Sequence, residues 1–274
     1  MTRNNTKSTF SFVLRQSKAD MAEASTHDKN VSLYKGNVVK VECLDHKGLY
    51  VTSQLLKELQ QMRAINHPNL LRFIGLCLEA DEKFMVTEHC PKGALAEVVM
   101  DETFTLDLVF SLSILNDIVQ ALMYIHKQPI RVHGRLTSEA CLIDSRFSVK
   151  VAHYGLPTIY DNTKRHEKDL LWMAPEVLRS GGKATPEADV YSVGIIISEI
   201  LTRDAPFGQE RELYSINEIV SRIKEHLDFP LRPGFQTAPD MGVIGQLMEK
   251  CWEEDPTKRL PLLKLSSSLR SLMA

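Results

Sequence analysis

Three short segments hold the side chains whose types and spacing bear on chemistry: His133-Gly134-Arg135-Leu136, His153-Tyr154-Gly155 and Ala174-Pro175-Glu176. A guanidinium stays protonated, so Arg135 donates hydrogen bonds but cannot accept a proton as a general base. The His153 imidazole suits zinc or copper, yet a lone histidine is not a metal site, and magnesium prefers hard oxygen donors. Upstream, Lys40, Glu42 and Glu58 add one ammonium and two carboxylates. The five cysteines, Cys43, Cys77, Cys90, Cys141 and Cys251, are scattered and form no C-x-x-C pair. That spacing argues against a zinc site or a disulfide framework and for reduced, partly buried thiols.

These groups need elements to position them. Residues 1–29 read as a polar tail with one apolar patch, Phe10 to Leu14, and one edge strand. Val31 to Val41 has the alternation of two strands around the turn Lys35-Gly36-Asn37. Leu55, Leu59, Met62 and Ile65 share one helical face. Two further strands are expected between His67 and Glu88, turning at Ala80-Asp81-Glu82. A long helix follows over 106–127, with Ile114, Ile118, Leu122 and Ile125 on one stripe. Short strands are expected around Asp144-Ser145-Arg146, an irregular polar stretch over 153–173, and helices at 189–202, 214–226, 240–252 and 260–272. The class is therefore α+β: a strand-rich lobe at 30–88, a hinge at 89–93 and a helical lobe at 94–274.

Composition narrows the function classes. Of the 274 residues, 43% are apolar and 25% charged, as in ordinary globular proteins. A formal net charge of −2 gives no basic excess for nucleic acid. The apolar runs, such as Val193 to Ile197, fall short of a membrane span, and Met1 to Phe10 lacks a signal-peptide core.

The landmarks stand in the order and spacing of a protein kinase. His133-Gly134-Arg135-Leu136 resembles the catalytic loop H-R-D-L, His153-Tyr154-Gly155 resembles D-F-G, and Ala174-Pro175-Glu176 matches A-P-E. Asp189-Val190-Tyr191-Ser192-Val193-Gly194 resembles the start of the central helix of the C-terminal lobe. Cys251-Trp252, Asp255-Pro256 and Arg259 resemble the segment whose arginine pairs with the A-P-E glutamate.

A narrower resemblance is to the kinase-homology domain of receptor guanylyl cyclases. It rests on His133 to Ser138, Cys141, Ile143 to Phe147, Tyr34 to Asn37, Glu88 to Gly93, Leu231-Arg232-Pro233 and Cys251 to Pro256. It implies a regulatory pseudokinase on the cytoplasmic side of a membrane, beside a cyclase domain. The implied partners are that domain or another protein, and a homodimer, since such receptors are dimers. Such a chain is either a piece of a larger receptor that makes cGMP from GTP or a stand-alone relative.

Phosphoryl transfer needs few parts, and each is altered here. The three glycine-loop positions hold Thr26, Asp28 and Val31. The lysine of the third strand is replaced by Glu42, opposite Glu58 of the helix. The base position holds Arg135, and the metal-ligand positions hold Ala140 and His153. No catalytic residue and no magnesium site is therefore expected. The resemblance implies ATP binding in related domains that keep the lysine and the D-F-G aspartate; the changes at Glu42 and His153 argue against it here. Any ATP pocket would use Lys40, Thr87, Glu88 and Cys90. Two rival readings follow: an ATP sensor without phosphotransfer, and an unorthodox kinase in which Lys40 replaces the missing lysine.

The structural positions are kept. Met62, Phe73, His133 and Tyr154 fit the internal column of active kinases, and the resemblance implies that Asp189 anchors the loop and that Glu176 and Arg259 form a buried pair. Thr158, Tyr160 and Thr163 are candidate phosphorylation sites, with Lys164-Arg165-His166 to receive a phosphate.

Overall fold

Alternation of apolar and polar residues becomes a sheet in the computed structural model, which describes residues 22–23, 30–44, 50–78, 83–161, 165–225, 229–235 and 241–273. Strands β1 (Ala22–Glu23), β2 (Val31–Tyr34), β3 (Asn37–Leu44), β4 (Phe73–Cys77) and β5 (Lys83–Glu88) form one antiparallel sheet in the order β1-β2-β3-β5-β4. The β2–β3 turn is tighter than the sequence suggests. Lys35 and Gly36 alone make it, with φ of 50° and 78°, and Asn37 already pairs with Tyr34. Two left-handed residues in a two-residue loop match the twist of the flanking strands. One face of β3 and β5 packs Val39, Val41, Phe84 and Val86 with Cys77 into a core cluster. The other face carries the pairs Lys40–Thr87 and Glu42–Met85.

Helix α1 (Ser53–Ala64) begins where Thr52 Oγ1 accepts from Leu55 N at 3.1 Å, and it buries Leu55, Glu58, Leu59 and Met62. The chain divides into two units: Met1–Pro91 with Gly155–Lys164, and Lys92–Tyr154 with Arg165–Ala274. The segment from Gly155 thus associates with the sheet, although the sequence reading placed it in the helical lobe.

In the helical unit, α2 (Leu95–Met100) precedes α3 (Leu108–Lys127), whose Asp107 cap accepts from Phe110 N at 2.8 Å. By length and composition α3 could cross a bilayer, a property the apolar-run reading missed. Here its stripe Ile114, Ile118, Leu122 and Ile125 is buried. Strands β6 (Cys141–Ile143) and β7 (Val149–Val151) form a hairpin, tied to α3 by Val149 N donating to Asp117 Oδ2 at 2.9 Å.

The stretch at 153–173, expected to be irregular, holds α4 (Pro157–Tyr160), which belongs to the sheet-bearing unit, and a 3₁₀ turn at Glu167–Trp172. Helices α5 (Pro175–Ser180), α6 (Pro186–Thr202), α7 (Gly208–Arg211), α8 (Ile216–Lys224), α9 (Gly242–Cys251) and α10 (Leu262–Met273) complete the helical unit. Helices of one or two turns show no apolar period, which is why α2, α4, α5 and α7 escaped the pattern. Helix α6 is buried on nearly every side. It approaches α9 at Gly194, where a Cβ would lie 3.2 Å from Cys251 Cβ and from Trp252 Cβ and N. The glycine-loop positions Thr26 and Asp28, the patch Phe10 to Leu14, the turn 80–82, Thr163 and Lys164 lie outside the described residues.

Candidate functional site

The loop around Arg135 hangs from one carboxylate. Thr185 caps α6, and Asp189 in its first turn is 1% exposed. Asp189 Oδ2 accepts from His133 N at 2.8 Å and meets His126 Nε2 at 2.9 Å, while Oδ1 accepts from Gly134 N at 2.8 Å. Three donors on one buried carboxylate fix the backbone of the loop. The His133 ring is buried as well. Its Nε2 lies 2.7 Å from the Ala152 carbonyl, and its Nδ1 accepts from Arg135 N at 3.1 Å. A carbonyl only accepts, so the proton sits on Nε2 and the neutral ring satisfies both partners. Burial pushes the His133 pKa down to about 4, outweighing the favourable Asp189 carboxylate and Ala152 carbonyl.

On this rigid loop Arg135 is half-buried, with Arg165 Nη2 donating to the neighbouring Gly134 carbonyl at 2.8 Å. Ala140 is fully buried, and its N–H is used by Thr137. His153 is exposed, with φ of 60°. Arg135, Ala140 and His153, expected at the base and metal-ligand positions, offer a guanidinium, a methyl and an imidazole, none of which supplies an oxygen to magnesium. Among the described residues, no three His, Cys, Asp or Glu side chains gather as a metal-binding group.

The sheet-bearing unit positions the expected ATP-pocket residues. Lys40 pairs across strands with Thr87. The Glu88 carboxylate accepts from Arg72 N at 2.8 Å, and Cys90 is buried. Glu42 is exposed. Glu58 is 3% exposed; Thr158 Oγ1 donates to its Oε1 at 2.7 Å, Thr158 N to its Oε2 at 3.0 Å, and Gln54 Nε2 to Oε1 at 2.9 Å. Tyr160 Oη lies 3.7 Å from Met85 Sδ. Thr158 and Tyr160, named as candidate phosphorylation sites, are half-buried with their hydroxyls engaged. Arg165, expected to receive a phosphate, holds Gly134.

The structural positions fall within their own units. Met62 and Phe73 are buried in the sheet-bearing unit, His133 and Tyr154 in the helical unit. Glu176 and Arg259 form a bidentate pair at 2.7 Å on both arms. Glu254 accepts from Arg179 and, at 2.8 Å, from Arg232. The guanidinium groups of Arg232 and Arg259 lie 5.2 and 5.3 Å from the centre of the Tyr191 ring. All five cysteines are free thiols, and only Cys43 is exposed.

Sequence reasoning missed Glu199. It lies within the apolar run of α6, 2% exposed, with Ser138 Oγ donating to Oε1 at 2.6 Å and Trp172 Nε1 to Oε2 at 2.7 Å. Burial raises its pKa to about 8 despite both hydrogen bonds. A lone acid between Ile197 and Ile200 was the available signal.

Comparison with known proteins places these features in a family. The family described as protein tyrosine and serine/threonine kinase matches residues 21–269. The chain is 36% identical over 242 residues to the human atrial natriuretic peptide receptor 2, covering 84% of this chain and 23% of the receptor. The Anguilla japonica receptor of the same name is 36% identical over 234 residues, 82% of this chain and 22% of the receptor. The receptor-type guanylate cyclase gcy-28 of Caenorhabditis elegans is 34% identical over 268 residues, 88% and 21%. The chain spans less than a quarter of the length of these relatives.

Proposed function

Because this chain belongs to the protein tyrosine and serine/threonine kinase family, yet carries Arg135, Ala140 and His153 at the working positions, we propose that it is a regulatory pseudokinase module that transfers no phosphate. The observation that carries this reading is the donor set on the Asp189-anchored loop. A permanent cation replaces the base, and no hard oxygen stands at either metal position. Preorganised electrostatics supplies most of the rate in such reactions, and substitutions at several parts remove it together.

The relatives are named as natriuretic peptide receptors and receptor-type guanylate cyclases. By that likeness, the module acts on the cytoplasmic side of a membrane and passes a conformational state to a protein partner, such as an adjoining cyclase domain or a second copy. Differential affinity of the partner for two arrangements would be its means of control.

A thermal-shift titration tests the reading. ATP, alone or with magnesium or manganese, is expected to leave the melting temperature unchanged, since only a ligand that binds the folded chain raises it. A shift that Lys40→Ala abolishes would establish the Lys40 kinase reading's first requirement. Transfer of radiolabelled phosphate to the chain itself or to a generic protein substrate would overturn the proposal.

A further inference from the structure

Helix α4 has no part in the reading above, although two of its side chains reach defined places in the sheet-bearing unit. Pro157 opens the turn with a fixed φ, and Ile159 N and Tyr160 N both donate to the Leu156 carbonyl at 2.9 Å. Thr158 gives its backbone N–H to one oxygen of Glu58 and its hydroxyl to the other. Gln54 supplies a third donor from one turn earlier in α1. Glu58 is buried, so these donors stand in for the water it has lost. Two residues on, Tyr160 brings its phenol to Met85. Met85 pairs with Glu42, and the next pair on the same face is Lys40 with Thr87. The phenol therefore reaches the sheet face on which the candidate ATP-pocket positions Lys40 and Thr87 form the next pair along.

We propose that α4 is an internal occupant of this sheet face, latched to α1 through Thr158 and Glu58 and seated by Tyr160 on Met85. The chain's own segment takes the place where a nucleotide would seek its lysine–glutamate pair. The proposal deepens the regulatory reading and rests on it: release of the latch is the change of state that a partner would bias. A hydrogen bond to a charged group is among the stronger kinds, and a buried carboxylate deprived of its donor is costly.

Amide hydrogen exchange of the whole chain tests this. In Thr158→Val the shape stays but the hydroxyl donor is gone. Exchange at Ile159, Tyr160 and Asp161 is expected to accelerate about tenfold or more, while amides of α6 keep their wild-type rates. Glu58→Gln should accelerate the same amides, and the Glu58→Gln/Thr158→Val double variant should show less than the product of the two single effects. Tyr160→Ala leaves Glu58 untouched and should also release the segment. Unchanged exchange at these three amides in Thr158→Val and Tyr160→Ala, or independent effects in the double variant, would overturn the latch. Phosphotransfer by the wild-type chain would instead overturn the regulatory reading and leave the exchange result standing, so the two failures are distinguishable.

Discussion

Replacing Glu176 by alanine is expected to destabilise the helical unit by about 3–5 kcal/mol, the usual loss when one partner of a buried ion pair is removed. The Arg259 side chain is 1% exposed and Glu176 is 27% exposed, so the cation is the member that water cannot reach. Without Glu176, the guanidinium keeps, among the described residues, the carbonyls of Glu253 at 2.9 Å and Glu187 at 3.0 Å, beside the ring of Tyr191. Arg259→Ala is expected to cost less through charge, because water can solvate the Glu176 left behind. It also loses two carbonyl bonds and packing on Tyr191. The double variant should therefore cost less than the two single changes together. Both tryptophans, Trp172 and Trp252, lie in the helical unit, so their fluorescence in urea reports this unit directly. The Glu176→Ala midpoint should fall by roughly 1–3 M, given ordinary urea slopes. A midpoint within error of wild type would mean the pair does not hold α5 to the segment before α10.

Much of this arrangement was legible from residue types because it depends on local period and on charge chemistry. The strip Leu55, Leu59 and Met62 gave α1, and the alternation through Val39 and Val41 gave β3. The Glu176–Arg259 pair and the Asp189 anchor were expected from the kinase-like order of motifs, and both appear as hydrogen-bonded geometry. What could not be read were contacts across long chain separation that have no period. Thr158 lies 100 residues from Glu58, and nothing in the spacing of either residue announces the other. Helix α4 is a single turn, too short to show a stripe, and its position depends on that distant carboxylate. Glu199 illustrates the opposite case. Its acid within an apolar run was visible, but only the partners Ser138 and Trp172 say what it does.

Glu199 is expected to make the helical unit less stable as pH rises from about 6.5 to 8. Its pKa is about 8 in the folded chain against an ordinary 4.5, chiefly through burial. Between those values the folded chain holds a proton that the unfolded chain has released. Stability from this group is full below pH 4.5 and is lost, by about 1.4 kcal/mol per pH unit, as pH climbs to 8. His133 works in reverse. Its folded pKa of about 4 lies below the ordinary 6.5, so the unfolded chain holds the extra proton and stability rises with pH over that span. The two slopes cancel from 4.5 to 6.5, leaving a decline of roughly 2 kcal/mol above it. The geometry locates the proton. Trp172 Nε1 can only donate, so Oε2 must accept, whereas the Ser138 hydroxyl can turn and accept from a protonated Oε1. Glutamine can copy that neutral pattern, with its oxygen toward Trp172 and its amide toward Ser138. Glu199→Gln should therefore remove the decline and expose the His133 rise between pH 4 and 6.5. Its advantage over wild type should widen toward roughly 5 kcal/mol at pH 8, the full value of the shift. Urea unfolding at a series of pH values reads both curves. A wild-type curve flat from 6.5 to 8, or a Glu199→Gln curve that falls in parallel with it, would mean the carboxyl is ionised in the fold at neutral pH and finds its compensation in the two hydrogen bonds.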